Sequence, residues 1–391
     1  MTALCLDKDQ YPLRDIINIS VVRSHLQHTW LLKALRILEI NVQMKNTSKW
    51  CLKQHIQPAC IYLHLIFFHI LLLLTVAREI SKSIVSGIIC NCLSLYLWYI
   101  IKLRSKFLCR LLHNLNDLSY SIAGHNFLRY KLINVSLFVV FVIPLIFSVQ
   151  LITFHYYGRY LDHIQFWLMG HSLPSNQILE KTLIFISAAL YYSVHIVPCI
   201  FVVTYSVLCC ILNKIILFHF RKIKVTSKDL IHQLKSYNAI LNCCKLFEKC
   251  YSFPLLLDLC YFLMTTFTAL TLALGYASFS RHIRIQESIL ILLVSAISIF
   301  SIFVCASKIP ESLENVKARY QYIYRILSIE NCQGKLYEKN ILRLLKILCE
   351  IETVHLTVYN VIRVNRNLML STVGCILTYS LLVLQLQLND K

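Results

Sequence analysis

The chain has 391 residues, 57% of them hydrophobic and only 15% charged, with a mean hydropathy of +0.62. That is more apolar surface than a soluble core absorbs, and the class it indicates is an α-helical membrane protein. With only 7 Gly and 7 Pro, and no run of alternating polarity, a membrane β-barrel is excluded.

The formal charge of +20 does not indicate nucleic acid, because the 39 Lys and Arg lie between apolar runs rather than in one folded patch. The 17 cysteines are scattered, as in Cys90 and Cys92, Cys209 and Cys210, and Cys243 and Cys244. Two spaced CxxC pairs are lacking, so no zinc site or other metal site is expected, and the thiols read as apolar fillers or reduced groups. No cofactor is implied.

In chain order, the first 55 residues are mixed and basic, and the apolar run that begins near Ile56 is too late and too long for a signal peptide. A hydrocarbon core of about 30 Å needs about 20 apolar residues per helix. Runs of that kind fall at 56–77, 85–101, 132–156, 183–213, 254–278, 288–306 and 367–386, which predicts seven spans in an all-α polytopic fold. Polar Ser83, Ser86, Asn91 and Ser94 dilute the second run, and the fourth is long enough to continue beyond the bilayer as a helix.

Alternate connections place 32 of the 39 Lys and Arg on one side and 7 on the other. The positive-inside rule makes the rich side cytoplasmic, so the N-terminus is expected inside and the C-terminus outside. The sequons at Asn18 and Asn46 then fall inside and are expected to stay unmodified, while that at Asn134 sits at a membrane edge. This orientation is opposite to that of G-protein-coupled receptors.

The basic connection at 307–366 is too long for a turn. In it Leu313, Val316, Tyr320, Ile323 and Leu327 recur at helical spacing, followed by Ile341, Leu344, Leu345, Leu348, Ile351 and Val354. Two readings stand: helices lying on the inner leaflet, or helices packed on one another and on an extension of span four. Glu311, Glu314, Glu330, Glu338, Glu350 and Glu352 favour packing. The chain thus divides into a cytoplasmic segment 1–55, spans one to six at 56–306, cytoplasmic anchor helices at 307–366, and a last span with a short outer tail at 367–391.

In that last span Ser371, Thr378 and Gln385 are seven apart and share a helical face with Leu382. Polar groups facing lipid are costly, so this face meets protein or water. The residues alone allow either interhelical hydrogen bonding with close packing at Gly374 or a pore.

Thr378-Tyr379, five mostly apolar residues and Gln385 resemble the TYhhhhhQF signature that closes the last helix of arthropod gustatory receptors. Leu386 stands where those receptors usually have Phe, and in this the chain resembles the related olfactory co-receptor. The resemblance implies a plasma-membrane ligand-gated cation channel, a homo- or hetero-tetramer with other gustatory subunits, whose last helices line a central pore above cytoplasmic anchor helices. Carried onto this chain, Leu382 and Leu386 would form apolar rings that close the pore, with Gln385 a polar lining group between them. Thr378 and Tyr379 would pack against neighbouring helices.

A ligand pocket in this family opens outward within each subunit's bundle, and a pocket between helices is also the physical default. Tyr156, Tyr157, Tyr160, Tyr191, Tyr192, His195, Tyr276 and Phe279 lie in the outer halves of spans and suit a small tastant. An interfacial aromatic belt explains any single one of these tyrosines equally simply. His195, deep in span four, must find a partner; a packed neutral histidine is the first reading and a ligand contact the second. His64 and His69 in span one receive no role, and Asp258 reads as a hydrated charge at the inner start of span five.

No HExxH, P-loop, GxGxxG or GxSxG motif supports an enzyme. A G-protein-coupled receptor would need an outer N-terminus, and a secondary transporter would need matching Gly/Pro-broken helices in its two halves.

Overall fold

The structure, a computed structural model, describes residues 82–123, 177–223, 227–275, 281–332, 339–351, 354–359, 362–364 and 366–389, together with Ile66 and a few positions between 142 and 149. The expected segment 1–55 lies outside the described residues, as do nearly all of the spans expected at 56–77 and 132–156. The other five expected spans fall on described helices, in an all-α membrane architecture.

Helix α1 runs Lys82–Leu103, α2 Ser105–Ala123, α3 Gln177–Lys222, α4 Ser227–Gly275 and α5 Arg281–Cys332. A short helix α6, Lys339–Glu350, precedes a two-residue hairpin of β1 (Thr357–Val358) and β2 (Ile362–Arg363), and α7 spans Arg366–Asn389. The strands pair antiparallel, Thr357 opposite Arg363 and Val358 opposite Ile362.

The three central helices have 46, 49 and 52 residues. At 1.5 Å per residue they reach about 70 to 80 Å, more than twice a hydrocarbon core. Among the described residues Val194–Lys222, Leu230–Leu270 and Ser288–Ile329 are long and apolar enough to cross a membrane. Gly87–Leu103 and Ser105–Ile122, bent 62° apart, meet the same test as a pair.

The span edges expected near 213, 254 and 306 are therefore not helix ends. Hydropathy senses where lipid stops, whereas the backbone hydrogen-bond ladder continues into water as long as one face stays packed. The predicted stripe Leu313, Val316, Tyr320, Ile323 and Leu327 is fully buried, against α3 and α4. Two contacts carry α5 onto the far end of α3: Ser312 Oγ donates to Asn213 Oδ1 at 2.6 Å, and His219 Nε2 meets Tyr320 Oη at 2.9 Å. In α6, Ile341, Leu345 and Leu348 are buried while Leu344 is exposed.

Helix α4 is the hub, meeting every other described helix, and α3 is the most deeply buried along its middle. Val194, Ile196, Val197, Ile200, Phe201, Leu208, Leu212, Ile215 and Ile216 of α3 are buried, while Leu217 and Phe220 are exposed. Helix α2 is amphipathic and turns Leu108, Leu111, Leu115, Leu118 and Ile122 inward. Its C-terminal carbonyl at Ile122 accepts from Lys222 Nζ at 2.6 Å, a cation at a helix C-terminus.

Each long helix carries one proline: Pro198, Pro254 and Pro310. Proline lacks an N–H and strands the carbonyl four residues back. For two of the three, α1 and its junction with α2 supply the missing donor. Ser94 Oγ donates to the Val194 carbonyl at 2.9 Å, and Arg104 Nη1 donates to the carbonyls of Lys249 at 2.6 Å and Cys250 at 3.2 Å.

Ser94→Ala is expected to destabilise the protein by about 1 kcal/mol. The effect should nearly vanish in a Pro198→Ala background, where the backbone satisfies Val194 itself. A double-mutant cycle of melting temperatures in detergent measures this, and equal losses in both backgrounds would contradict the assignment.

Candidate functional site

Two groups of residues carry chemistry, one on α7 and one between α3 and α4. On α7 the exposed positions are Asn367, Leu370, Ser371, Gly374, Cys375, Thr378, Leu382 and Gln385. Their spacing of three or four traces one stripe along the helix. Leu368, Thr372, Ile376 and Tyr379 are half-buried on the other side, where the Tyr379 ring centroid lies 4.3 Å from that of Phe267 on α4.

The hydroxyls on the exposed stripe are satisfied within the helix. Ser371 Oγ donates to the Asn367 carbonyl at 3.1 Å and Thr378 Oγ1 to the Gly374 carbonyl at 2.9 Å, the back-bonding open to Ser and Thr inside helices. Among the described residues nothing lies within 4 Å of where a Gly374 Cβ would stand, so no close packing contact at this glycine is seen among them. Leu382 is 51% exposed. The Leu386 side chain lies outside the described residues.

Between α3 and α4 the sequence candidates Tyr191 and His195 come together. Their ring centroids are 4.6 Å apart, and His195 Nδ1 meets Tyr261 Oη at 2.6 Å. The histidine thus has the partner its depth requires. Tyr191 and Tyr261 are buried, and Tyr192 is half-buried against the core. Tyr156, Tyr157, Tyr160, Tyr276, Phe279, His64 and His69 lie outside the described residues.

Asp258 departs from its expected place. Pro254 is an interior residue of α4, not its start, so Asp258 lies mid-helix. It is fully buried, not hydrated, and among the described residues neither carboxyl oxygen has a hydrogen-bond partner. Tyr261, three residues on, faces the same side of α4.

An unpartnered buried carboxyl opposes folding. Asp258→Leu is therefore expected to raise thermal stability by about 1 to 3 kcal/mol. A lowered melting temperature in the assembled protein would instead show that Asp258 holds a needed partner.

No protein-family model matches the sequence, and no curated protein matches it. Solved structures do. The chain is similar to the insect olfactory receptor OR5 from Machilis hrabei in complex with eugenol, with a TM-score of 0.66 and 15% identity over 93% of this chain and 99% of that one. It is similar to OR5 from Machilis hrabei in a second structure, with a TM-score of 0.63 and 14% identity over 94% of this chain and the whole of that one. Over nearly its entire length, the chain has the fold of an insect olfactory receptor.

Proposed function

We propose that this protein is a chemosensory receptor of the gustatory type that acts as a ligand-gated, non-selective cation channel in the plasma membrane. Four subunits, identical or mixed with other gustatory subunits, bring their α7 helices together around one pore. Leu382 and Leu386 close it as apolar rings, and Gln385 lines it between them.

The observation that carries this reading is the exposed stripe among the described positions of α7. It gathers Ser371, Thr378 and Gln385 on one face, while Tyr379 sits on the packed side. The Ser371 and Thr378 hydroxyls are satisfied by their own helix, so the Gln385 amide is the group that is costly against lipid and belongs against protein or a water-filled path. The shared fold with an insect olfactory receptor supports the same assignment.

The ligand is a small, largely apolar molecule taken up between the helices near Tyr191, Tyr192 and His195. The eugenol held by OR5 is a molecule of this kind. The N-terminus faces the cytoplasm, as the distribution of Lys and Arg supports.

Whole-cell recording with G-protein signalling blocked tests the reading, using a panel of small aromatic compounds that includes eugenol. A rapid cation current that survives the block is expected. A response that disappears with the block would overturn the channel assignment.

A further inference from the structure

We propose that Cys210 on α3 and Cys305 on α5 form a peroxide-sensitive oxidation site that closes to a disulfide and ties the two helices together. The two sulfurs lie 3.9 Å apart. They must approach by about 1.9 Å to reach the ~2.05 Å of a disulfide bond, a movement within reach of side-chain rotation and a small helix shift.

The helices are held in register beside the pair. The bonds Asn213–Ser312 and His219–Tyr320 follow on the same interface, so the sulfurs meet as a consequence of packing. By contrast, Cys209–Cys210 and Cys243–Cys244 are consecutive within helices. Their side chains point about 100° apart and are not placed to bridge.

Access distinguishes the pair further. Cys210 is exposed and Cys305 half-buried, whereas Cys209, Cys243 and Cys244 are buried. Lys214 and Lys308 lie one helical turn beyond the two cysteines and set their ammonium charges near Cys210. Those charges fall at the end of the apolar runs 183–213 and 288–306.

The chemistry balances with hydrogen peroxide as the oxidant. Peroxide oxidises the Cys210 thiol to a sulfenic acid and releases one water. The Cys305 sulfur then attacks the Cys210 sulfur, the S–OH bond breaks as the S–S bond forms, and the hydroxide leaves with the thiol proton as a second water. The two thiols lose two electrons, peroxide gains them, and a dithiol reductant reverses the step.

The test is to treat the purified full-length protein with hydrogen peroxide, block free thiols, digest without reduction and identify linked peptides by mass spectrometry. A Cys210–Cys305 peptide is expected that disappears with dithiothreitol and in Cys210→Ser and Cys305→Ser, and persists in Cys209→Ser. Absence of the linked peptide from the oxidised wild type overturns the proposal. So does a bridge from Cys210 to Cys209 or to a second copy of the chain.

Discussion

Replacing Leu382 with alanine is expected to raise the resting cation current about tenfold, without any ligand. A closed apolar constriction excludes ions because water leaves it, and that barrier depends on how narrow and how apolar the ring is. Truncation to alanine widens the ring and removes apolar surface from each of the four subunits in the proposed assembly. A loss of about 1.4 kcal/mol from the barrier corresponds to the tenfold change. The residue is 51% exposed on the free stripe of α7, so truncation leaves no large cavity in the subunit and expression should hold. Whole-cell current at rest, normalised to surface protein, measures the effect. Unaltered resting current would place Leu382 away from the permeation path.

The second large effect is on stability. Arg104→Ala is expected to destabilise the protein by about 2 to 3 kcal/mol, more than Ser94→Ala. Arg104 sits at the junction of α1 and α2, and its charged hydrogen bonds reach Lys249 and Cys250 on α4. Its guanidinium also lies 5.9 Å from the Phe253 ring.

The same stretch of α4 receives the hairpin that leads into α7. The Tyr359 N–H donates to the Ser252 carbonyl at 3.1 Å, and the Tyr359 ring packs 5.4 Å from Phe253. Tyr359 has φ of 53°, a left-handed conformation that costs a non-glycine residue on the order of 1 to 2 kcal/mol. Contacts with α4 hold it there. Pro254 thus marks a junction where the α1–α2 bend, the middle of α4 and the approach to α7 meet.

Arg104→Lys should recover part of the loss, because an ammonium also donates to carbonyls but lacks the planar guanidinium that lies against the Phe253 ring. In Pro254→Ala the Cys250 carbonyl regains its backbone donor, so the effect of Arg104→Ala should shrink. Denaturation midpoints of the four proteins in detergent measure the coupling, and strict additivity would contradict it.

The buried stripe from Leu313 to Leu327 was readable in the sequence because a helix packed on one face repeats every three or four residues whether lipid or water lies beyond it. The polar face of the last span was readable for the same reason. Helix continuity past 213 was readable from the length of the fourth run, but continuity through 254 and 306 was not, since a drop in hydropathy looks the same at a helix end and at a membrane surface. The apparent edge at 254 likewise put Asp258 at the inner start of span five, where a charge would be hydrated.

Of the candidate pocket, His195 announced its need for a partner, but only the antiparallel packing of α3 and α4 singles out Tyr261. The hairpin is too short to leave a strand pattern, and nothing in the residue type of Tyr359 signals a left-handed turn. The use of Ser94 and Arg104 to satisfy proline-freed carbonyls is a tertiary pairing across about 100 to 150 residues, invisible to any local window.

The most direct test of the account is the unitary conductance of Gln385→Ala, recorded in planar bilayers in the Leu382→Ala background so that openings need no ligand. Gln385 is expected to line the open path, so its truncation should change unitary conductance or the relative permeability of sodium and potassium while the assembly still elutes intact. Unchanged conductance and selectivity in well-formed channels would contradict the assignment of α7 as the pore helix.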